Sequence, residues 1–540
     1  MHLTTPSSPQ LQAVEELAAR VTRDIGWIQG PFETAALLES YGLTDADAQA
    51  HYGHADVFDL ADQLLAYQRG NQTLVRDAAD EEDRRLKDER ERYKPKTMSL
   101  FRTIVRGTAY GMPMGLSVIA SVVLLYSLWS YYFFTPAQAT AIGLGTALSY
   151  FIAGGFTQAI GRRGLMYLRQ GMYLMTLKVS WFFITAGLIL TGVVAVVLIL
   201  VFNLFAIIST YEANLAVIYF VSLSVLWLCL AMLYMLEQEV MFTVAVALGI
   251  FVVYAAREYV GVSMVMAHQI GLIVASVFSM LTSAGYLLYK HRKYRDPNQP
   301  MSGKLPRPVM LISSVRTFIM YGSLYFTMLF ADRLLAWTGR MDFRQTFIWF
   351  RADYEAGLNW ALLGMIPAFT VLELILQKFG AELKPRQLRH ALNDRQAFTS
   401  WFLRFYTRQV IFYFVVAALG IVGVYYGMQW LIPQIPELQL MRGEVPRFTF
   451  FVGIIGYVMI GFSLLNLAVF FWLSRPRLAM LALVPAMGVN VVLGYLLSRM
   501  FSYELAVIGL AAGGITFAFI STVLCMRVVS NLDYYYYSAF

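Results

Sequence analysis

Charge is the first thing this chain has little of. Only 14% of its 540 residues are Asp, Glu, Lys or Arg, where a soluble chain carries roughly 25%. Most of it is therefore not built to face water. Cysteine is nearly missing as well. Cys229 and Cys525 each lie inside an apolar run, far apart in sequence, which excludes a disulfide framework or a CxxC metal pattern and leaves two small buried hydrophobes. There is no GxxxxGK[ST] phosphate loop, HExxH zinc helix, nucleophile elbow or kinase motif set. The chain thus has no known loop of its own for hydrolysing ATP, no catalytic signature, and nothing that calls for a cofactor.

What the chain has instead is apolar length. Hydrophobic residues make up 58% and aromatics 15%. From Tyr110 onward the apolar runs reach the ~20 residues that a helix needs to cross a bilayer core. There are twelve candidates, at about 110–133, 138–160, 179–204, 213–235, 240–256, 264–289, 309–335, 356–377, 409–431, 449–473, 478–498 and 504–527. The tightest cut lies between spans four and five, where only LEQE intervenes. The first 98 residues differ in kind. They are polar, they open without an apolar signal-peptide core, and they carry helical spacing in Val57, Leu60, Leu64 and Leu65. They end in the mixed-charge run RDAADEEDRRLKDERERYK, expected to be a solvated helix.

The net charge of +8 sits in short clusters between the apolar runs. That is the pattern of loops facing a cytoplasm and argues against a nucleic-acid partner. With the N-terminus inside, inner loops and tail hold twenty Lys and Arg and outer loops eight, so both termini are expected on the cytoplasmic side of the cell membrane.

The longest connector, KHRKYRDPNQPMSGKLPRP, comes after span six. Spans two and eight are each succeeded by a basic, amphipathic stretch expected to lie at the interface, GRRGLMYLRQGMYL and LKPRQLRHALNDRQAFTSWFLRF. The expected architecture is an all-α polytopic membrane protein of about twelve spans in two six-helix halves. Residues 1–98 form a small helical cytoplasmic head, 105–289 the first half, 290–308 a basic linker and 309–540 the second half. Such duplications build a central path in many transporters.

Ionisable groups inside spans single out candidate functional residues, because charge in hydrocarbon normally faces a cavity or a partner. Span seven is richest. Arg316 lies about two turns inside it, and at 100° per residue Ser323 and Thr327 share its face, forming a polar stripe expected to line a substrate path. Tyr321 and Tyr325 of the same helix could stack on a sugar ring or simply pack. Asp332 and Arg333, near the outer end, read as an interfacial ion pair or a gate, and Glu373, near the inner end of span eight, as a proton-linked carboxylate or a solvated one. His268 is expected to be a hydrogen-bonded core histidine and Asn466 and Asn490 interhelical hydrogen-bonders. His51, His54 and Asp56 could ligate a metal, but a surface helix start is the better reading.

The segment YGSLYFTMLFADRLLAW of span seven resembles the corresponding helix of Pel-type (PelG-like) exopolysaccharide exporters, members of the multidrug/oligosaccharidyl-lipid/polysaccharide (MOP) flippase superfamily. The closing VVSNLDYYYYSAF resembles the ends of that family, as does the arrangement of basic loops after spans two and eight. The resemblance covers residues 105–540. It implies a two-lobed, MATE/flippase-like fold that moves a polysaccharide or lipid-linked saccharide across the inner membrane by alternating access. The head, which the family lacks, suggests docking to a cytoplasmic glycosyltransferase. The competing expectations are a multidrug or cation antiporter of the same superfamily, which needs a membrane-embedded carboxylate, and a membrane scaffold that moves nothing.

Overall fold

The structure is a computed structural model. It describes residues 13–18, 20–21, 31–70, 115–117, 119–121, 126–128, 131, 133–206, 208–294, 305–339, 348–366, 371–372 and 395–530. Among these residues there is no strand. The chain divides into two compact units, Met1–Thr97 and Met98–Phe540.

In the first unit, α1 (Pro31–Ser40) packs on α2 (Val57–Gly70). Asp56 starts α2 by accepting the Asp59 N–H at 2.8 Å, as an N-cap side chain does. Leu60, Ala61 and Leu64 of α2 are buried with Leu38 of α1 and with Val14 and Val21, so the spacing read from the sequence closes a small core. His54 turns to Asp59, its Nδ1 3.2 Å from the carboxylate. The run 71–97 lies outside the described residues.

The second unit holds ten helices long and apolar enough to cross a membrane among the described residues. They are α3 (Pro136–Ala159), α4 (Tyr173–Phe205), α5 (Thr210–Met235), α6 (Glu239–Glu258), α7 (Met264–Lys293), α8 (Pro308–Trp337), α10 (Arg395–Leu431), α11 (Glu444–Trp472), α12 (Pro476–Met500) and α13 (Ala506–Ser530). Between α8 and α10 runs the shorter α9 (Ala352–Leu362). The ten coincide with expected spans two to seven and nine to twelve. Most of 110–133, the linker 295–304, and 367–370 with 373–394 lie outside the described residues, and with them Glu373 and much of the second basic stretch.

Local chemistry sets the helix ends. Thr135 and Gln138 form a reciprocal capping box, with Pro136 in the first turn, at the start of α3, satisfying N–H groups that hydrocarbon could not. Ser209 and Ser263 cap α5 and α7. Between α5 and α6 the chain reverses in three residues, with Glu237 in the left-handed region at φ 55°. The expected separate interfacial helix after span two is replaced by continuous helix. α3 runs through a π turn at Ile160–Gly164 into Leu165–Arg169. The extra residue of a π turn rotates the next turns of helix about the axis, and here it sends Arg162 and Arg163 toward Ser474 and Ser314 of the second half.

The helices pack in two groups joined along a seam. α5 packs on α3, α4 and α7, and α6 on α7; α11 packs on α9 and α13, and α12 on α13. α8 crosses between the groups, lying against α3 of the first half as well as α12 and α13 of the second. Backbone contact at that crossing depends on glycine. A Cβ on Gly322 would stand 2.3 Å from the Gly154 carbonyl oxygen, and one on Gly155 2.6 Å from the Ser323 hydroxyl.

Candidate functional site: a buried charge cluster beside an aromatic seam

The last turns of α8 and the first turns of α9 bring together the most heavily buried charges among the described residues of the membrane unit. Asp332, Arg333 and Glu355 are 0%, 6% and 3% exposed. The Arg333 guanidinium pairs with the Glu355 carboxylate and donates to Asn359 at 3.3 Å and to the Tyr457 hydroxyl of α11 at 3.1 Å. Glu355 also accepts the Trp337 indole N–H at 3.1 Å. A buried charge is tolerated when it is paired and its remaining hydrogen-bonding sites are filled. Glu355 meets that condition, while the Arg333 Nε–H has no partner among the described residues. Asp332 accepts the Tyr354 hydroxyl at 2.7 Å through one oxygen, and its other oxygen has no partner among the described residues.

This corrects the sequence expectation for Asp332 and Arg333. They do not pair with each other, and both are buried in protein. Neighbours on a helix point about 100° apart, so each takes its partner from α9. Arg333, counted from the sequence among outer-loop cations, is enclosed in protein. The partner Glu355 was missed because DYE at the start of α9 reads as loop. The usable signal was the arginine itself, which requires an acid within reach if it lies in a span.

Beside the cluster an aromatic column bridges the halves. Tyr150 of α3 stacks on Phe330 and Phe326 of α8, with ring centroids 4.9 and 5.3 Å apart, and on Trp227 of α5 at 4.7 Å. Arg333 lies 5.3 Å from the centroid of Phe330. Tyr321 and Tyr325 continue the column along α8, stacked at 5.9 Å, and Tyr321 meets Phe471 of α11 edge-on at 4.9 Å.

The polar stripe of α8 divides in the structure. Ser323 is half-buried against Gly155, and the Thr327 hydroxyl bonds back to the Ser323 carbonyl at 2.8 Å. Arg316 is exposed and makes no ion pair or hydrogen bond among the described residues. It stands apart from the buried cluster. His268 bonds the Tyr219 hydroxyl at 2.6 Å. Asn466 bonds Tyr406, Ser521 and Thr522, and Asn490 donates to the Met328 carbonyl of α8 at 2.9 Å.

The seam is fastened at both ends. At one end Trp337, Ile348 and Phe350 of the second half are buried in the core of the first, and the Phe350 N–H donates to Thr140 Oγ1 at 2.9 Å. At the other, Arg162 donates to Ser474 at 2.7 Å and Arg163 to Ser314 at 2.8 Å. Both closures are backed by apolar packing, the second through Leu311, Val315 and Phe318 of α8, which are buried with Ile160, Val179 and Met235 of the first half.

Comparison with known proteins fits this geometry. No family model and no curated relative matches the chain. Among solved structures, a MATE in the bent conformation aligns over 80% of this chain and 96% of its own, at 16% identity and a TM-score of 0.52. A MOP superfamily transporter from Pyrococcus furiosus, described as having a binding pocket of reversed polarity, aligns over the same shares at 17% identity and 0.52. An outward-facing multidrug-resistance MATE transporter of the MOP superfamily aligns over 80% and 96% at 16% identity and 0.50. The chain therefore has the MATE-type helical fold of these structures.

Proposed function

We propose that the chain is a membrane transporter that moves a polysaccharide or lipid-linked saccharide by alternating access between its two halves. The observation that carries the reading is the aromatic column of Tyr150, Trp227, Phe326 and Phe330, which spans the seam and leads into Tyr321 and Tyr325. Aromatic faces are the natural partners of the C–H faces of pyranose rings, and a seam between pseudo-repeats is where such transporters place their path. The buried ion pair beside the column gives α8 and α9 a fixed polar anchor around which the seam can open. Both termini are proposed to face the cytoplasm, which would let the head dock a glycosyltransferase that supplies the saccharide. A pulldown with the full chain that loses the enzyme when residues 1–97 are deleted tests that part.

One observation favours a second reading, multidrug or cation antiport. One oxygen of the buried Asp332 carboxylate has no partner among the described residues, and such exchange requires a carboxylate of this kind within the spans. Deleting the gene and assaying secreted polymer alongside resistance to cationic dyes separates the two. Polymer export should be lost and then restored by the wild-type chain, but not by one carrying Tyr150→Ala with Phe330→Ala. Unchanged polymer with heightened dye sensitivity would overturn saccharide export in favour of efflux.

A further inference from the structure

The end of α7 carries four basic residues in succession, Lys290, His291, Arg292 and Lys293, none of them ion-paired to a carboxylate among the described residues. The lysines are drawn together instead of apart. Lys290 Nζ lies 5.5 Å from the ring centroid of Tyr286 and 5.1 Å from that of Tyr294. Lys293 Nζ lies 5.8 Å from Tyr289 and 5.6 Å from the same Tyr294. Tyr173 at the start of α4 closes on Tyr294 at 6.2 Å. Two ammonium groups sharing one ring, with Arg292 exposed beside them, concentrate positive charge that no carboxylate relieves among the described residues. Ring faces hold such cations in place but leave their net charge unbalanced, so the arrangement calls for an anion.

The surface leading to these cations states what kind of anion. Ile273, Val277, Leu281 and Leu288 of α7 are all exposed, at 60%, 51%, 69% and 41%. Their spacing puts them within about 80° of one another on the helix, and Arg292 comes four residues after Leu288 on the same side. An apolar stripe about 22 Å long at 1.5 Å per residue that ends in clustered cations and tyrosines matches an amphiphile, with acyl chains along the stripe and a phosphate at its end. A free phosphate has no use for the stripe.

We propose that this face of α7 is a binding site for an anionic phospholipid, its phosphodiester held by Lys290, Arg292 and Lys293. The site is independent of what the chain transports. Its position on the outer surface of α7, with the α4 end beside it, makes the lipid a clamp on two helices of the first half.

The test uses the purified full-length chain in detergent, with its unfolding temperature tracked as phosphatidylglycerol or phosphatidylcholine is added. Phosphatidylglycerol should stabilise the wild-type chain well beyond phosphatidylcholine. Each basic residue near an anionic surface strengthens binding about fivefold, so Lys290→Gln with Lys293→Gln should weaken the phosphatidylglycerol effect roughly 30-fold. The same variant should keep its response to phosphatidylcholine, which shows that it is folded. Lys290→Arg with Lys293→Arg should retain the full effect. Equal stabilisation of wild type by the two lipids would overturn the proposal. So would an unchanged phosphatidylglycerol effect in the glutamine variant, or the whole effect reproduced by inorganic phosphate alone.

Discussion

Glu355→Ala should strand the Arg333 guanidinium in the protein interior and destabilise the membrane unit more than any other single truncation in the cluster. Breaking a buried ion pair from one side costs about 3–5 kcal/mol, because the remaining charge is left uncompensated. Here the Trp337 indole N–H loses its acceptor as well. Against a total stability on the order of 5–15 kcal/mol, the variant should show a sharply lowered unfolding temperature in detergent and little export. Arg333→Met in the same chain as Glu355→Leu removes both charges at similar volume and should recover most of the lost stability, since apolar replacement of a whole buried pair is often neutral. Transport separates structure from function. If the pair anchors a moving seam, the double variant should fold yet export poorly. Wild-type export by the double variant would reduce the pair to a replaceable packing element.

The second large effect is expected at the helix crossing. Gly322→Val should block the approach of α8 to α3, because the added Cβ would stand 2.3 Å from the Gly154 carbonyl oxygen and 2.7 Å from the side chain of Gln158. The obstacle on one side is backbone, which cannot rotate away as a side chain can. Overpacking of this kind costs about 1–3 kcal/mol when neighbours can shift and more when they cannot. The helices must therefore part at the seam, and both expression of folded protein and export should fall. Gly423→Val is the control, since a Cβ there meets nothing within 4 Å. An active, normally stable Gly322→Val chain would show that the two halves do not rely on this contact.

The spans were legible because length and hydrophobicity alone specify them. A run such as 179–204 has no other place to go than a bilayer or a core, and α4 covers it. The seam was less legible. Gly154, Gly155 and Gly322 are three of 39 glycines, and only packing shows that these meet backbone to backbone while Gly423 faces open space. Tyr150 and Trp227 hide in the same way among aromatics that make up 15% of the chain. The polar stripe of span seven was read by helical angle, which says which residues share a face and not which face meets a neighbour. Hence the angle alone did not show that Arg316 is exposed while Arg333 is buried. Glu355 escaped because its value comes from a residue 22 positions earlier in sequence.

The central claim is that the two halves must separate along the seam for substrate to move. The hydrogen bond from the Phe350 N–H to Thr140 Oγ1 places those residues side by side, and the two native cysteines are buried, so Thr140→Cys with Phe350→Cys offers a lock of known position. In cells that carry this variant, export of the polymer should stop on oxidation and resume on reduction, while each single-cysteine chain exports throughout. Export at the unlocked rate from a fully crosslinked chain would contradict alternating access along this seam.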